Sequence, residues 1–422
     1  MNALTSVDGT ADKPLAEAPG APGYAPGGGS AAGEASVGGA SGGATFALRN
    51  ARLVLEDTLV HGSLSVVDGR IAAIDDGPSA VGEDVGGDYV LPGLIELHTD
   101  HLETHYMPRP GVRWPVAAAV QSHDAQIASA GITTVLDCLR LGRDGEDKFE
   151  LGEMRLLADA LRHAEERGAL RAEHRLHLRC EVSTPDVLEG FEDFLGDEHV
   201  RLVSLMDHAP GQRQFASPEA AAIYYQGTLG LGEAAFAAFV DERTRNSRIY
   251  ADAHRAALAE RCREGGIALA SHDDASVEHV DEANGFGVTI AEFPTTHEAA
   301  ARARAIGMHV LMGAPNVVRG GSHSGNVSAL ALAEAGLLDL LSSDYVPFSL
   351  LQAVFHLAES VPTMDLPRAL RCVSASPAAL LGLEDRGRIA DGLRADLVRV
   401  SRADADSVPV VRTVWRAGRR VA

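Results

Sequence analysis

Six residues in this chain have the types and spacing that a divalent cation needs. His98 and Asp100 stand two apart in Leu91-Pro-Gly-Leu-Ile-Glu-Leu-His-Thr-Asp100. Residues two apart on an extended segment share a side, so an imidazole and a carboxylate there form a paired grip. Glu181 ends the run His-Arg-Leu-His-Leu-Arg-Cys, and His208 ends Arg-Leu-Val-Ser-Leu-Met-Asp. His272 ends Ile-Ala-Leu-Ala-Ser, and Asp344 ends Leu-Leu-Asp-Leu-Leu-Ser-Ser. A lone histidine in such a place is ordinary, but five short apolar runs closing on His or a carboxylate predict one shared metal site. Imidazole and carboxylate donors suit zinc, with manganese or iron(II) also compatible, as one ion or two. A cation so held lowers the pKa of bound water to about 7 and polarises a carbonyl or phosphoryl oxygen. Asp344 is the expected acceptor of that water's proton. Its competing role is to cap the helix expected near Ser349.

The elements that would position these groups alternate. Apolar strand candidates end at Leu97, Asp137, Cys180, Asp207, Ser271, Phe293, Met312 and Ser343. Helical stretches fall between them, among them 151–167, 234–263, 298–306 and 349–359. Near-continuous apolar strands alternating with helices predict a parallel sheet. Eight of them predict an α/β fold, a (β/α)8 TIM barrel, whose chemistry sits where the strands end. An open doubly wound sheet is the competing architecture. β-like stretches at 46–55, 64–67 and 71–74, and again at 396–400 and 410–415, predict a small β domain built from both ends of the chain. The expected organisation is a Gly/Ala/Pro-rich tail over 1–44, a β domain from 45–90 plus 385–422, and a barrel over 91–384. The tail holds too few large apolar residues to offset its ordering entropy.

Composition narrows the partners. A net charge of −22 opposes binding to nucleic acid or to anionic membrane. No apolar run is long enough to predict a membrane span, and the start lacks the pattern of a secretory signal. Four cysteines, none in a C-x-x-C pair, fit reduced thiols and a cytoplasmic setting. Self-association into a homo-oligomer is left open. Lys13 and Lys148 are the only lysines, which excludes a phosphate-binding P-loop. Arginine forks and backbone N–H nests remain for an anion. Arg109 and Arg113 flank a Pro-Gly turn after the first barrel strand, and Arg213 follows His208. Arg319-Gly-Gly-Ser-His-Ser-Gly-Asn326 is a Gly-rich loop after the seventh strand. Arg109, Arg113, Arg213, Arg319 and Asn326 are the candidate phosphate contacts. His323 is either a general acid or a hydrogen-bond donor. His101, His105 and His123 are expected to play structural or substrate-contact roles.

The blocks Leu91–Asp100, Gly131-Ile-Thr-Thr134 and Arg386-Gly-Arg-Ile-Ala-Asp-Gly-Leu-Arg-Ala-Asp-Leu-Val398 resemble the signatures of the amidohydrolase superfamily over roughly 45–420. That resemblance implies a metal-binding barrel joined to a small β domain. Longer blocks are similar to a narrower family within it. They include His98-Thr-Asp-His-Leu-Glu103, Met107-Pro-Arg-Pro-Gly-Val-Arg-Trp-Pro115, Leu205-Met-Asp-His-Ala-Pro-Gly-Gln-Arg-Gln-Phe215 and Leu311–Asn326. Members of that family hydrolyse a ribose 5-triphosphate to the 5-phosphate and diphosphate, in phosphonate use through the carbon–phosphorus lyase pathway. The implied partner is thus a small-molecule ribose triphosphate. Two departures from the superfamily stand out. His98-x-Asp100 replaces the usual His-x-His. No lysine is placed to bridge two metals, because Lys148 lies in the polar run Arg143-Asp-Gly-Glu-Asp-Lys-Phe-Glu150, so Glu181 is the expected shared anionic ligand. The strand count also puts His208 and His272 after the fourth and fifth strands, where the superfamily usually uses the fifth and sixth.

Other functions fit less of the sequence. A cyclic amidohydrolase shares fold and metal but leaves Met107–Pro115 and Arg319–Asn326 without a purpose. A deaminase commonly has a glutamate soon after a barrel histidine, and His208-Ala-Pro-Gly-Gln212 has none. A non-catalytic barrel would have lost ligands, whereas the set here is complete.

Overall fold

The computed structural model describes residues 44–143, 149–150, 152–210, 213, 232–322 and 325–422. Residues 1–43 of the predicted tail and His323 lie outside the described residues. Five strands open the described chain: β1 Phe46–Val54, β2 Leu59–Val67, β3 Arg70–Asp76, β4 Glu83–Asp84 and β5 Tyr89–Pro92. Eight follow: β6 Leu94–Thr99, β7 Ile132–Leu141, β8 Glu173–Glu181, β9 Val200–Met206, β10 Ala268–His272, β11 Ile290–Glu292, β12 His309–Gly313 and β13 Leu340–Ser342. Three end it: β14 Leu397–Ser401, β15 Val410–Arg416 and β16 Arg419–Arg420.

Strands β6 to β13 pair in sequence order, each parallel to the next. A parallel bridge between Thr99 and Asp344 joins the last strand to the first, so the sheet closes as the expected (β/α)8 barrel. His208 and His272 do stand at the ends of the fourth and fifth barrel strands. The second sheet runs β16-β15-β14-β5-β1-β2-β3, with β4 beside β1, and so takes strands from both ends of the chain. Its core holds Leu48, Leu53, Leu64, Ile71, Val90, Leu397 and Trp415.

The two-residue period of a strand organises the barrel interior. Ile95, Leu97, Leu136, Leu202, Ala270, Ile290, Leu311 and Leu340 meet in one apolar layer. The alternate residues, such as Val203, Leu205, Leu269 and Ala291, face the helices. The helices follow the 3.6 period. In Glu153–Glu166 the buried residues are Met154, Leu157, Ala158 and Leu161, which form one stripe. Ser276, Thr296, Ser328 and Asp365 start later helices by accepting the N–H three residues on. No helix among the described residues is long and apolar enough to cross a membrane.

Candidate active site

Two residues above the apolar layer, the same strands turn polar: Leu202 leads to Ser204, Ala270 to His272 and Ile290 to Glu292. Glu292 is fully buried and clamps two rings. Its Oε1 lies 2.7 Å from His98 Nδ1, and its Oε2 lies 2.7 Å from His272 Nδ1. Ser204 Oγ donates to the same carboxylate at 2.8 Å. Burial pushes the Glu292 carboxyl up, but the facing imidazoles hold it well below the usual carboxylate range. Glu181 anchors the third ring, with Oε2 2.7 Å from His208 Nδ1. Carboxylates on Nδ1 fix the proton there and turn each Nε2 lone pair toward the barrel mouth.

The rings line up. His98 and His272 are 5.9 Å apart by centroid, and His272 and His208 are 5.4 Å apart. Two donor groups result, His98–Asp100–Asp344 and His208–His272–Asp273, each with its ligand atoms within 4.8 Å of one another. His98 Nε2 is 3.8 Å from Asp100 Oδ1, and His272 Nε2 is 3.7 Å from Asp273 Oδ2. These gaps are too long for hydrogen bonds. Donors sharing one tetrahedral ion at about 2.1 Å would stand roughly 3.4 Å apart. The donor set therefore fits a divalent cation.

Asp344 is held by the seam that closes the barrel. Its N–H donates to His98 O at 3.0 Å, and Asp100 N–H donates to Asp344 O at 3.3 Å. Buried Glu96 accepts the N–H groups of His98 and Ser343, both at 2.6 Å, and so ties the first strand to the eighth. Burial, aided by Asp100, raises the Asp344 carboxyl above its ordinary value while His98 opposes. The helix Ser349–Ser360 starts after Phe348 without a side-chain cap, so Asp344 does not serve that helix. Asp273, Phe293 and Asp344 all have left-handed backbone, with φ of 57°, 53° and 54°. Each follows a strand end, and each lines the same cleft. Such strain in non-glycine residues collects at working sites.

Glu181, the predicted shared ligand, is engaged by protein donors. Its Oε1 accepts from Ser183 Oγ at 2.6 Å and from His208 N–H at 3.1 Å, and its Oε2 meets Nδ1, so it stands behind the His208 ring. Of the five candidate phosphate contacts, Arg319 and Asn326 line the cleft, which measures about 190 Å³. Arg213 is buried against Asp274, at 2.5 Å, and Glu282, which commits both ends of its guanidinium. Arg113 is paired through two nitrogens to Glu153. Arg109 is exposed. Arg109, Arg113 and Arg213 are all absent from the cleft lining. The sequence reading missed Arg179, which lines the cleft and donates to Asp100 Oδ1 at 2.6 Å. The signal was available: 177, 179 and 181 alternate along one strand, so Arg179 shares the face of Glu181. Against its own burial, Arg179 holds the Asp100 carboxyl down to about 2. The sequence reading also missed Glu292 and Asp273.

The other histidines fill the structure. His177 bonds to Leu97 O and Ser204 Oγ inside the barrel, and burial lowers its pKa to about 3. His174 is buried between Asp137 at 2.7 Å and Asp124 at 3.3 Å. His123 meets the other oxygen of Asp137 at 2.6 Å.

A closed parallel barrel with histidines and carboxylates gathered at its mouth is the architecture of cation-assisted hydrolases. The chain matches the amidohydrolase family model over residues 116–422, more than half its length, and it belongs to that family. The chain is also 48% identical over 379 residues to the α-D-ribose 1-methylphosphonate 5-triphosphate diphosphatase of Escherichia coli strain K12. That match covers 89% of this chain and 99% of the relative. Solved structures share the fold. N-acetyl-D-glucosamine-6-phosphate deacetylase from Mycobacterium smegmatis is 18% identical with a TM-score of 0.58, covering 90% of this chain and 100% of that one. 5-Methylcytosine deaminase from Klebsiella pneumoniae is 16% identical with a TM-score of 0.59, covering 89% and 98%. The chain is thus a hydrolase with a relative that acts as a diphosphatase.

Proposed function

We propose that this protein hydrolyses α-D-ribose 1-methylphosphonate 5-triphosphate to the 5-phosphate and diphosphate, within phosphonate catabolism. The match to the Escherichia coli diphosphatase along nearly the whole of that protein carries this reading. The cleft supports it, because Arg179 on its floor and Arg319 at its rim face the same space as the donor groups. His98, Asp100, His208, His272 and Asp344 would hold the divalent cation, most simply zinc by donor type, with manganese or iron(II) as competitors. When bound, the cation supplies Lewis acidity, which acidifies water and polarises a phosphoryl oxygen.

The chain's own residues do the rest. Asp344, with its raised pKa, takes a proton from the attacking water. Arg179 and Arg319 bind phosphate oxygens and balance charge at the attacked phosphorus. Asn326, on the same cleft lining, orients the polyanion. One water is consumed, one phosphoanhydride bond breaks, and diphosphate leaves. All four cysteines are free and buried, which supports a reducing, cytoplasmic setting.

The test is a product assay on purified, metal-analysed protein with a ribose 5-triphosphate, a dihydropyrimidine and cytosine. Diphosphate released from the first alone supports the proposal. Turnover of the cyclic amide or of cytosine without diphosphate release would replace it.

A further inference from the structure

We infer that His101, His105 and His123 form a nitrogen-only site for a transition-metal dication such as zinc or nickel, apart from the cleft. None of the three lines that cleft. His101 and His105 lie one turn apart on the helix His101–Tyr106, a spacing that puts both rings on one face. Their ring centroids are 5.2 Å apart. His123 comes from the next helix, Val116–Ser129. Its ring is 6.4 Å from that of His101 and 5.9 Å from that of His105. Three imidazoles on one tetrahedral ion at about 2.1 Å have centroids roughly 5 Å apart. The first pair already matches that figure. The third ring stands about 1 Å farther out, a gap that rotation of the half-buried His101 side chain can close.

Hydrogen bonds behind the rings decide which nitrogens are left to bind. Asp137 Oδ1 lies 2.6 Å from His123 Nε2, and Gln126 Oε1 lies 3.0 Å from His105 Nε2. Each acceptor keeps the proton on Nε2, so Nδ1 carries the lone pair. His123 is fully buried, and its Nδ1 has no hydrogen-bond partner among the described residues. Buried polar atoms are seldom left so, and a shared cation beside His101 and His105 accounts for this one. The adjoining group His123, Asp137 and His174 also has its ligand atoms within 4.8 Å of one another. Its contacts of 2.6 and 2.7 Å are hydrogen bonds, too short to span a shared ion. Asp137 is thus the carboxylate behind a ligand ring, the place that Glu292 takes at His98.

Donor chemistry selects the ion. Imidazole suits zinc, nickel or copper, whereas manganese and magnesium prefer oxygen ligands. Both donor groups in the cleft include carboxylates, so manganese tells the two places apart. An ion on the three histidines ties the first helix to the second, one residue from Asp100, and so steadies that ligand.

Metal-stripped full-length protein is titrated with zinc and, separately, with manganese, and bound metal per chain is counted. His101→Gln and His105→Gln are each expected to lose one zinc relative to wild type, or to hold it at least roughly 10-fold more weakly, with manganese binding unchanged. Both side chains are only half-buried, and thermal denaturation of the metal-free variants checks the fold. The inference falls if either variant binds zinc with the count and affinity of wild type. It also falls if manganese is lost along with the zinc, because the histidines then belong to the cleft's own cation. No substrate enters, so the counts stand whatever the diphosphatase assay returns.

Discussion

Replacing Glu292 by glutamine removes one charge and keeps the shape. The carboxylate accepts Nδ1–H from His98 and from His272, each at 2.7 Å, in a fully buried position. An amide offers one oxygen and one NH2. One ring keeps its acceptor and the other meets a donor, so that ring must turn or change tautomer. A hydrogen bond to a charged group contributes about 1.5–3 kcal/mol. At 1.4 kcal/mol per factor of ten, its loss weakens cation affinity roughly 10- to 100-fold. That is also the range expected when the carboxylate behind a metal-binding histidine is removed. The assay is chelator competition for zinc, with thermal denaturation of the metal-free variant confirming the fold. Ser204→Ala is the control: it deletes a neutral partner of the same carboxylate at 2.8 Å and should cost only a few-fold. Zinc affinity of Glu292→Gln within twofold of wild type would refute the idea that this clamp sets the two rings.

Three more outcomes are expected. Asp344→Asn should abolish turnover while retaining bound zinc, and full activity in that variant would overturn its role as proton acceptor. Arg319→Ala should raise KM for a sugar triphosphate more than for a small phosphate monoester, and equal effects would remove Arg319 from the phosphate site. His174 bears on stability. Its burial lowers its pKa, but Asp137 and Asp124 outweigh this and raise it to about 9, above its ordinary 6.5. The proton is therefore held more tightly in the folded state. The resulting stabilisation, on the order of 3 kcal/mol, is complete below about pH 6.5 and is lost as pH rises through 9. Thermal melting of wild type should fall across that window. His174→Gln should flatten the profile, and an unchanged slope in that variant would contradict the assignment.

The sequence determined the architecture, because barrel strands and their helices are written in local periods. The apolar runs ending at Leu97, Cys180, Ser271 and Ser343 were legible as short, near-continuous apolar stretches set between helical ones. The helices expected at 151–167 and 349–359 appear as Glu153–Glu166 and Ser349–Ser360. His98, His208, His272 and Asp344 were legible for the same reason: each closes a strand, and closed barrels bring strand ends together. Tertiary structure alone decided which groups stand in front of the rings and which stand behind them. Glu181 and Glu292 are both carboxylates at strand ends, yet their partners His208, His98 and His272 lie 27, 194 and 20 residues away in the chain. Arg213 and Arg179 are both arginines near a histidine, and burial beside Asp274 and Glu282 removes the first from the cleft that the second enters. Side-chain direction depends on closure of the barrel and on the φ of single residues such as Asp273, and neither leaves a local pattern in the order of amino acids.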